Sequence, residues 1–365
     1  MLIQREPGSV DGTVLLRRLG EMMNNADYVR ALRPMLPPEA FRPNSWAYVP
    51  IVLHLAIIVA AWSATRHVPH VWWPVLGLVV GNSVSVLSFY AHDATHRSVT
   101  TNKYLLYPTE LILWALIFVP ASLWRRVHGT HHAHTNADDD PDRRFLASEL
   151  SPTGLVAAAM LFPNRTLRYN VACFLYWIFF PWRHAVALLF PGKSKPDFVT
   201  AKPRYSRGEK FRIGFEFFFI AALQFGLSKF THGAYMWVGI LPVFITSAVV
   251  SWYFFTNHGL KPVDDGHDVL AASTTVTVPE FCNKLHSNFS FHTEHHLFPT
   301  MNPKYYPLVS KLFSAHFPES YHCIPIGQAW NGLWRNAIAS PHRGVPVAVA
   351  PPPADHARTE PVVAN

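Results

Sequence analysis

The stretch VWWPVLGLVVGNSVSVLSFYAHDATH, residues 71–96, decides the fold. Its apolar part, about 71–90, has the roughly 20 residues that a helix needs to cross a bilayer core. The run ends without a break in two histidines, His92 and His96. A spacing of four puts both imidazoles on one face of a helix, a turn apart. A membrane-spanning helix therefore carries a pair of metal-capable nitrogens out to the lipid–water boundary.

The same kind of spacing recurs in HGTHH (His128, His131, His132) and in HTEHH (His292, His295, His296). Asn257-His258, at the end of another apolar run, supplies the best candidate for a ninth imidazole. Four ligands saturate a tetrahedral zinc ion, so eight or nine imply two metals with open coordination positions. No His-Glu-x-x-His occurs, which disfavours a zinc protease, and Glu-x-x-His occurs once, at Glu319–His322, where the carboxylate-rich soluble di-iron bundle needs two. A lipid-facing, all-imidazole, two-metal site points to iron and dioxygen. His134 falls on a different helix face and reads as a spectator. The acidic run after the second box, Asp138, Asp139, Asp140 and Asp142, either orients imidazoles or forms a solvated turn ending the helix near Pro141.

Half of the 365 residues are hydrophobic and only 15% are charged, with 12 Trp, 13 Tyr and 26 Phe, a balance that suits a membrane protein with aromatic belts. The fold expected is an all-α integral membrane protein. It has four transmembrane helices in two hairpins, at about 46–65, 71–90, 213–230 and 235–255, because only 66–70 and 231–234 separate the partners. Residues 1–43 read as a cytosolic N-terminal segment, 44–338 as the membrane domain with a cap from 91–212 and 256–338, and 339–365 as a disordered Pro/Ala-rich tail. The start, MLIQREPGSVDG, lacks an apolar core, so no cleaved signal peptide is expected.

Two more apolar runs, 104–124 and 169–190, are interrupted by Pro108, Glu110 and Pro120 and by Pro181-Trp182-Arg183-His184. One metal site needs all three boxes on one side of the membrane, so a single crossing by 104–124 would misplace the second box. Both runs are expected to lie in the interface or to re-enter. Glu216 reads as an interfacial residue near a helix start. Arginine and lysine crowd the segments before the first span and between the second box and the third span, while the outer loops carry Arg66 and Lys229. The positive-inside rule then puts the boxes and both termini in the cytoplasm. The net charge of +8 needs no nucleic-acid reading. Three widely spaced cysteines give no thiolate zinc site, disulfide framework or iron–sulfur cluster.

The order H-x3-H, H-x2-H-H, H-x2-H-H, with the flanking TNADDDPD and HTEHHLFP, resembles the membrane fatty acid desaturase/hydroxylase superfamily, and most of all its acyl-lipid desaturase branch. The resemblance covers about 44–317. It implies a four-span fold with a cytosolic di-iron cap over a narrow acyl tunnel. It implies as iron ligands His92, His96, His128, His131, His132, His292, His295 and His296, with His258 as a further one. The implied reaction takes O2 as cosubstrate and two electrons, and leaves a C=C bond in an acyl chain. The same boxes serve hydroxylases and ketolases. One departure is Phe254, where the acyl-CoA branch has a metal-assisting Asn one turn before the His258 equivalent. No His-Pro-Gly-Gly haem signature appears, so the expected partner is a separate electron-transfer protein, of ferredoxin or cytochrome b5 type with its reductase. The substrate is a membrane lipid or acyl thioester. A histidine-lined metal transporter is the distant alternative; it requires ligands near mid-membrane, and no box histidine falls inside a predicted span.

Overall fold

The structure, a computed structural model, describes residues 23–137, 140–142, 205–262 and 268–339, with six isolated positions between 160 and 185. In chain order its α-helices are α1 (Asn25–Leu32), α2 (Tyr48–Ala64), α3 (Trp73–Thr95), α4 (Lys103–Ala115), α5 (Ala121–Ala133), α6 (Arg207–Thr231), α7 (Leu241–His258), α8 (Val269–Ala272), α9 (Glu280–Leu285), α10 (His292–Leu297), α11 (Tyr306–His316) and α12 (Ile326–Ala339). The strands among the described residues, β1 (Thr275–Thr277) and β2 (Cys323–Pro325), pair in parallel.

Four helices are long and apolar enough to cross a membrane: Ser45–Ala64, His70–Thr95, Arg207–Ala234 and Met236–His258. They match the four expected spans, and two of them run longer. The second continues through His92, as its unbroken sequence implies. The third starts earlier, at Arg207, because Ser206 and Glu209 form a capping box: the Ser206 hydroxyl accepts from Glu209 N–H and the Glu209 carboxylate accepts from Ser206 N–H.

The second and fourth spans form the centre, with most of their apolar windows buried, while the first and third are largely exposed to the lipid side. Small residues set the central packing. A Cβ on Gly77 would lie 2.6 Å from the Trp237 carbonyl oxygen, and one on Gly81 would meet Ile245. Gly77 faces the backbone of a π-helical turn, Met236–Ile240, that precedes Pro242. Gly77→Val is expected to lower the thermal midpoint in detergent, at a cost of about 1–3 kcal/mol for overpacking. An unchanged melting curve would mean that the two helices separate without penalty.

The run 104–124 does not form a span. It folds as α4 and α5, 13 residues each, or about 20 Å against the roughly 30 Å of a bilayer core. Pro108 lies inside α4, and the chain turns between the helices through Phe118, whose φ is 63°. The run 169–190 lies outside the described residues, apart from isolated positions. Glu216 departs from expectation. It is fully buried and accepts hydrogen bonds from Tyr107 and Ser122, which bring α4 and α5 against α6. An acidic group in an apolar run is kept where such partners replace water.

A second core lies in the cap, where Tyr28, Leu32 and Ala40 pack with Leu297, Phe298, Tyr306 and Phe313. The N-terminal arm is fastened there by Val269 N–H donating to the Asn25 side chain and by Asn302 N–H donating to the Ala40 carbonyl. The arm thus braces the element that carries the third histidine box.

Candidate metal centre

Each box is delivered by a different kind of helical setting. His92 lies in the last turn of α3, and His96 takes its C-cap. The second box occupies the C-terminal half of α5, the third forms most of the short α10, and His258 is the final residue of α7. The nine imidazoles converge into two groups. His92, His96, His128, His132 and His295 form one; His131, His258, His292 and His296 form the other, with candidate ligand atoms within 4.8 Å of one another in each. The second box is therefore split: His128 and His132 turn to one group, His131 to the other. His134 belongs to neither.

Within the groups, ring nitrogens face each other at contact distance. The Nε2 atoms of His96 and His128 are 2.9 Å apart, those of His128 and His132 3.1 Å, and those of His132 and His295 3.0 Å. In the second group, His258 and His292 are separated by 2.8 Å and His292 and His296 by 3.1 Å. The outward nitrogens of several rings bear on which of these inward atoms carries a proton. His258 Nδ1 faces the Ala272 carbonyl, which can only accept, and His131 Nδ1 lies 2.8 Å from an Asp140 carboxylate oxygen. His296 Nδ1 meets the Thr135 hydroxyl, whose own proton goes to the His131 carbonyl. His295 Nδ1 meets the Tyr306 hydroxyl at 3.1 Å. A neutral imidazole has one N–H. With that proton spent outward, His131, His258 and His296 each turn an Nε2 lone pair inward, and His92 Nε2 is buried with no hydrogen-bond partner.

Converging lone pairs repel unless a cation lies among them. Metal–imidazole bonds of about 2.1 Å put neighbouring nitrogens of a coordination shell about 3 Å apart, which is the spacing observed. The residues therefore fit metal ions, and the all-nitrogen set suits zinc, copper or iron. Burial, followed by the neighbouring imidazoles, holds His96, His128, His132, His292, His295 and His296 well below the ordinary imidazole range, so they are neutral and free to bind metal. His131 differs. Burial acts against its protonation, but the charge and hydrogen bond of Asp140, with Asp142 behind, outweigh burial and raise its proton affinity.

Of the acidic run, Asp140 is the orienting carboxylate. It is fully buried and also accepts the backbone N–H groups of Asn136 and Asp142. Asp138 and Asp139 lie outside the described residues. Glu294, inside the third box, holds α10 to the cap. It accepts from Thr275 at 2.5 Å and from Tyr321, and burial pushes its carboxyl up to about 7. Neither Tyr306 nor Thr135 could be found from the sequence, because only their place in space marks them.

An apolar cavity opens against the histidines. Its walls are Phe89 and Ser88 of α3, Trp114 and Ile117 at the end of α4, Trp124 of α5, Val243, Val250 and Phe254 of α7, and Phe289. His92, His128, His131 and His292 close it on the metal side. Trp124 stacks on His128 at 4.6 Å between centroids, and Trp114 lies 4.5 Å from Trp124. The arrangement can align a long hydrocarbon against two metals while keeping water away.

Comparison with known proteins reaches the same chemistry. The family profile described as fatty acid desaturase matches residues 69–327. The sn-1 acyl-lipid omega-3 desaturase (ferredoxin) of Synechocystis sp. is 24% identical over 288 residues, covering 75% of this chain and 76% of that protein. The endoplasmic-reticulum omega-6 fatty acid desaturase of Brassica juncea is 25% identical over 341 residues, 85% of each chain. The chloroplastic sn-2 acyl-lipid omega-3 desaturase (ferredoxin) of Arabidopsis thaliana is 22% identical over 302 residues, 75% of this chain and 63% of its own length.

Proposed function

The chain belongs to the fatty acid desaturase family, and from that premise we propose that it is an O2-dependent di-iron acyl-lipid desaturase. The observation that carries this reading is the meeting of two histidine groups, of five and four, with one end of an apolar cavity. His92, His96, His128, His132 and His295 would hold one iron, and His131, His258, His292 and His296 the other. Two irons bound there would supply the oxidising power to remove one hydrogen from each of two neighbouring methylenes, with O2, two electrons and two protons consumed and two waters formed.

The remaining work falls to the chain's own residues. Trp124, Val250 and Phe254 confine an acyl chain, so that only a short part of it reaches the histidines. The same walls exclude water, which would otherwise compete at the centre. Asp140, Thr135 and the Ala272 carbonyl hold three imidazoles in the tautomer that presents Nε2 inward, and the Tyr306 hydroxyl orients the ring of His295.

The boxes face the cytoplasm in this reading, supported by the excess of Arg and Lys between the second box and the third span. The membrane domain spans 44–338. Electrons come from a separate protein of the ferredoxin or cytochrome b5 type with its reductase; ferredoxin appears in the names of two of the relatives above. The substrate is an acyl chain esterified in a membrane lipid.

Lipid mass spectrometry of cells expressing the wild type beside His295→Ala tests the reading. A lipid lighter by two hydrogens, absent with the mutant, is expected. A mutant-dependent product heavier by one oxygen would instead make the enzyme a hydroxylase, and no mutant-dependent change in membrane acyl lipids would sink the proposal.

A further inference from the structure

Glu216 is a buried carboxyl that the chemistry above leaves unused. It lies on α6, in the third span, and is 0% exposed. It accepts three hydrogen bonds: from the Ser122 backbone N–H at 2.8 Å, from the Ser122 hydroxyl at 2.6 Å and from the Tyr107 hydroxyl at 3.1 Å. Two of these donors belong to the first turn of α5. The first N–H groups of a helix have no partner within it, and an N-cap side chain normally takes the second or third. The N-cap of α5 is Pro120, whose side chain cannot accept. The missing acceptor is supplied across the fold, by a residue 94 positions away. The third donor comes from α4, so one carboxyl fastens both short helices to a span.

What α5 carries makes this fastening consequential. Trp124 and His128 follow Ser122 on the same helix; both line the cavity, and their rings stack. Trp114 of α4 packs on Trp124 in turn, with the rings tilted by 37°, and Arg125 pairs with Glu110 of α4. The cavity wall and a candidate metal ligand are therefore parts of one packed unit, and a rotation at the start of α5 moves them together. Small misplacements at a reacting centre have large effects on which atom reacts.

We propose that Glu216 is a positioning residue, which caps the helix of the second histidine box from the third span and thereby fixes which carbons of the acyl chain reach the metal centre. The part concerning the acyl chain rests on the desaturase reading; the capping does not.

The test uses the full chain in lipid nanodiscs as wild type, Glu216→Ala, Glu216→Gln and Ser122→Ala. Three quantities are read: amide hydrogen exchange at 121–125 without metal, the visible spectrum on titration with Co2+, and the ratio of double-bond positions in product lipids. Glu216→Ala is expected to speed exchange at the Ser122 amide by about tenfold, because a buried donor loses its acceptor. It should also shift the Co2+ bands and spread the double bond over more than one position. Glu216→Gln keeps an acceptor oxygen and should restore all three towards wild type. Ser122→Ala removes only the hydroxyl bond and should fall between, which keeps the test open if Glu216→Ala fails to fold. A ratio of positions is insensitive to how much protein is folded, so a merely structural role would leave it unmoved. Unchanged exchange and spectrum in Glu216→Ala, or a Gln variant as damaged as the Ala variant, would overturn the capping. An unchanged position ratio beside altered exchange would overturn the acyl-chain part. If even the wild type yields no dehydrogenated lipid, the desaturase reading falls, while exchange and Co2+ spectra still decide the capping.

Discussion

His258→Ala is expected to abolish double-bond formation and to reduce bound iron from two ions per chain to about one, whereas His96→Ala should keep both. The asymmetry follows from the two groups. His258 belongs to the set of four, with His131, His292 and His296, and His96 to the set of five. Removing one member leaves three imidazoles in the first case and four in the second, as many as the other group has intact. His258 Nε2 lies 2.8 Å from that of His292 in a buried setting, and among the described residues the two groups share no member. The activity loss for His258→Ala should exceed the roughly 100-fold that removal of an outer hydrogen-bond partner can cost. Iron per chain, measured by elemental mass spectrometry on purified protein, together with the yield of unsaturated lipid, checks the prediction. The reverse order, with His96→Ala losing an ion and His258→Ala keeping both, would break the assignment of histidines to groups.

That assignment marks the limit of what the sequence discloses. Offsets of three and four state which imidazoles share a helix face, and the apolar runs state which helices cross, so the convergence of three boxes beside the membrane is legible residue by residue. The offsets do not state how the faces meet. His128, His131 and His132 lie within one turn and a quarter of α5, yet His131 alone joins His258, because α7 approaches that side. In the same way, four aspartates follow the second box and only the fold singles out Asp140. Glu216 shows the same limit at longer range. Near the start of an apolar run it reads as an interfacial residue; its partners, Tyr107 and Ser122, are about a hundred residues earlier, and no local pattern links them to it. The early start of the third span, by contrast, was open to reading in Ser206-Arg-Gly-Glu209, a capping box set in polar sequence ahead of the apolar run.

Asp140→Ala is expected to weaken metal binding by about 10- to 100-fold, although Asp140 belongs to neither histidine group. Its carboxylate accepts a hydrogen bond from His131 Nδ1–H at 2.8 Å and raises the proton affinity of that ring, which makes the opposite nitrogen a stronger electron-pair donor to a metal. It also accepts the N–H groups of Asn136 and Asp142, so the same side chain closes the turn that follows the second box. Loss of all three hydrogen bonds frees the His131 ring to rotate and leaves buried donors unpaired, each costing about 1–3 kcal/mol. Asp140→Asn separates the two roles. Its single carbonyl oxygen can still accept from His131, but the charge is gone and the turn loses an acceptor. Metal affinity for the Asn variant should therefore lie between wild type and Ala. Co2+ competition titrations on the purified chain measure the effect, and a double-mutant cycle with His131→Ala isolates its route. If Asp140 acts through His131, removing it from a chain that already lacks His131 should add little further loss. Fully additive losses would place its effect in the turn alone.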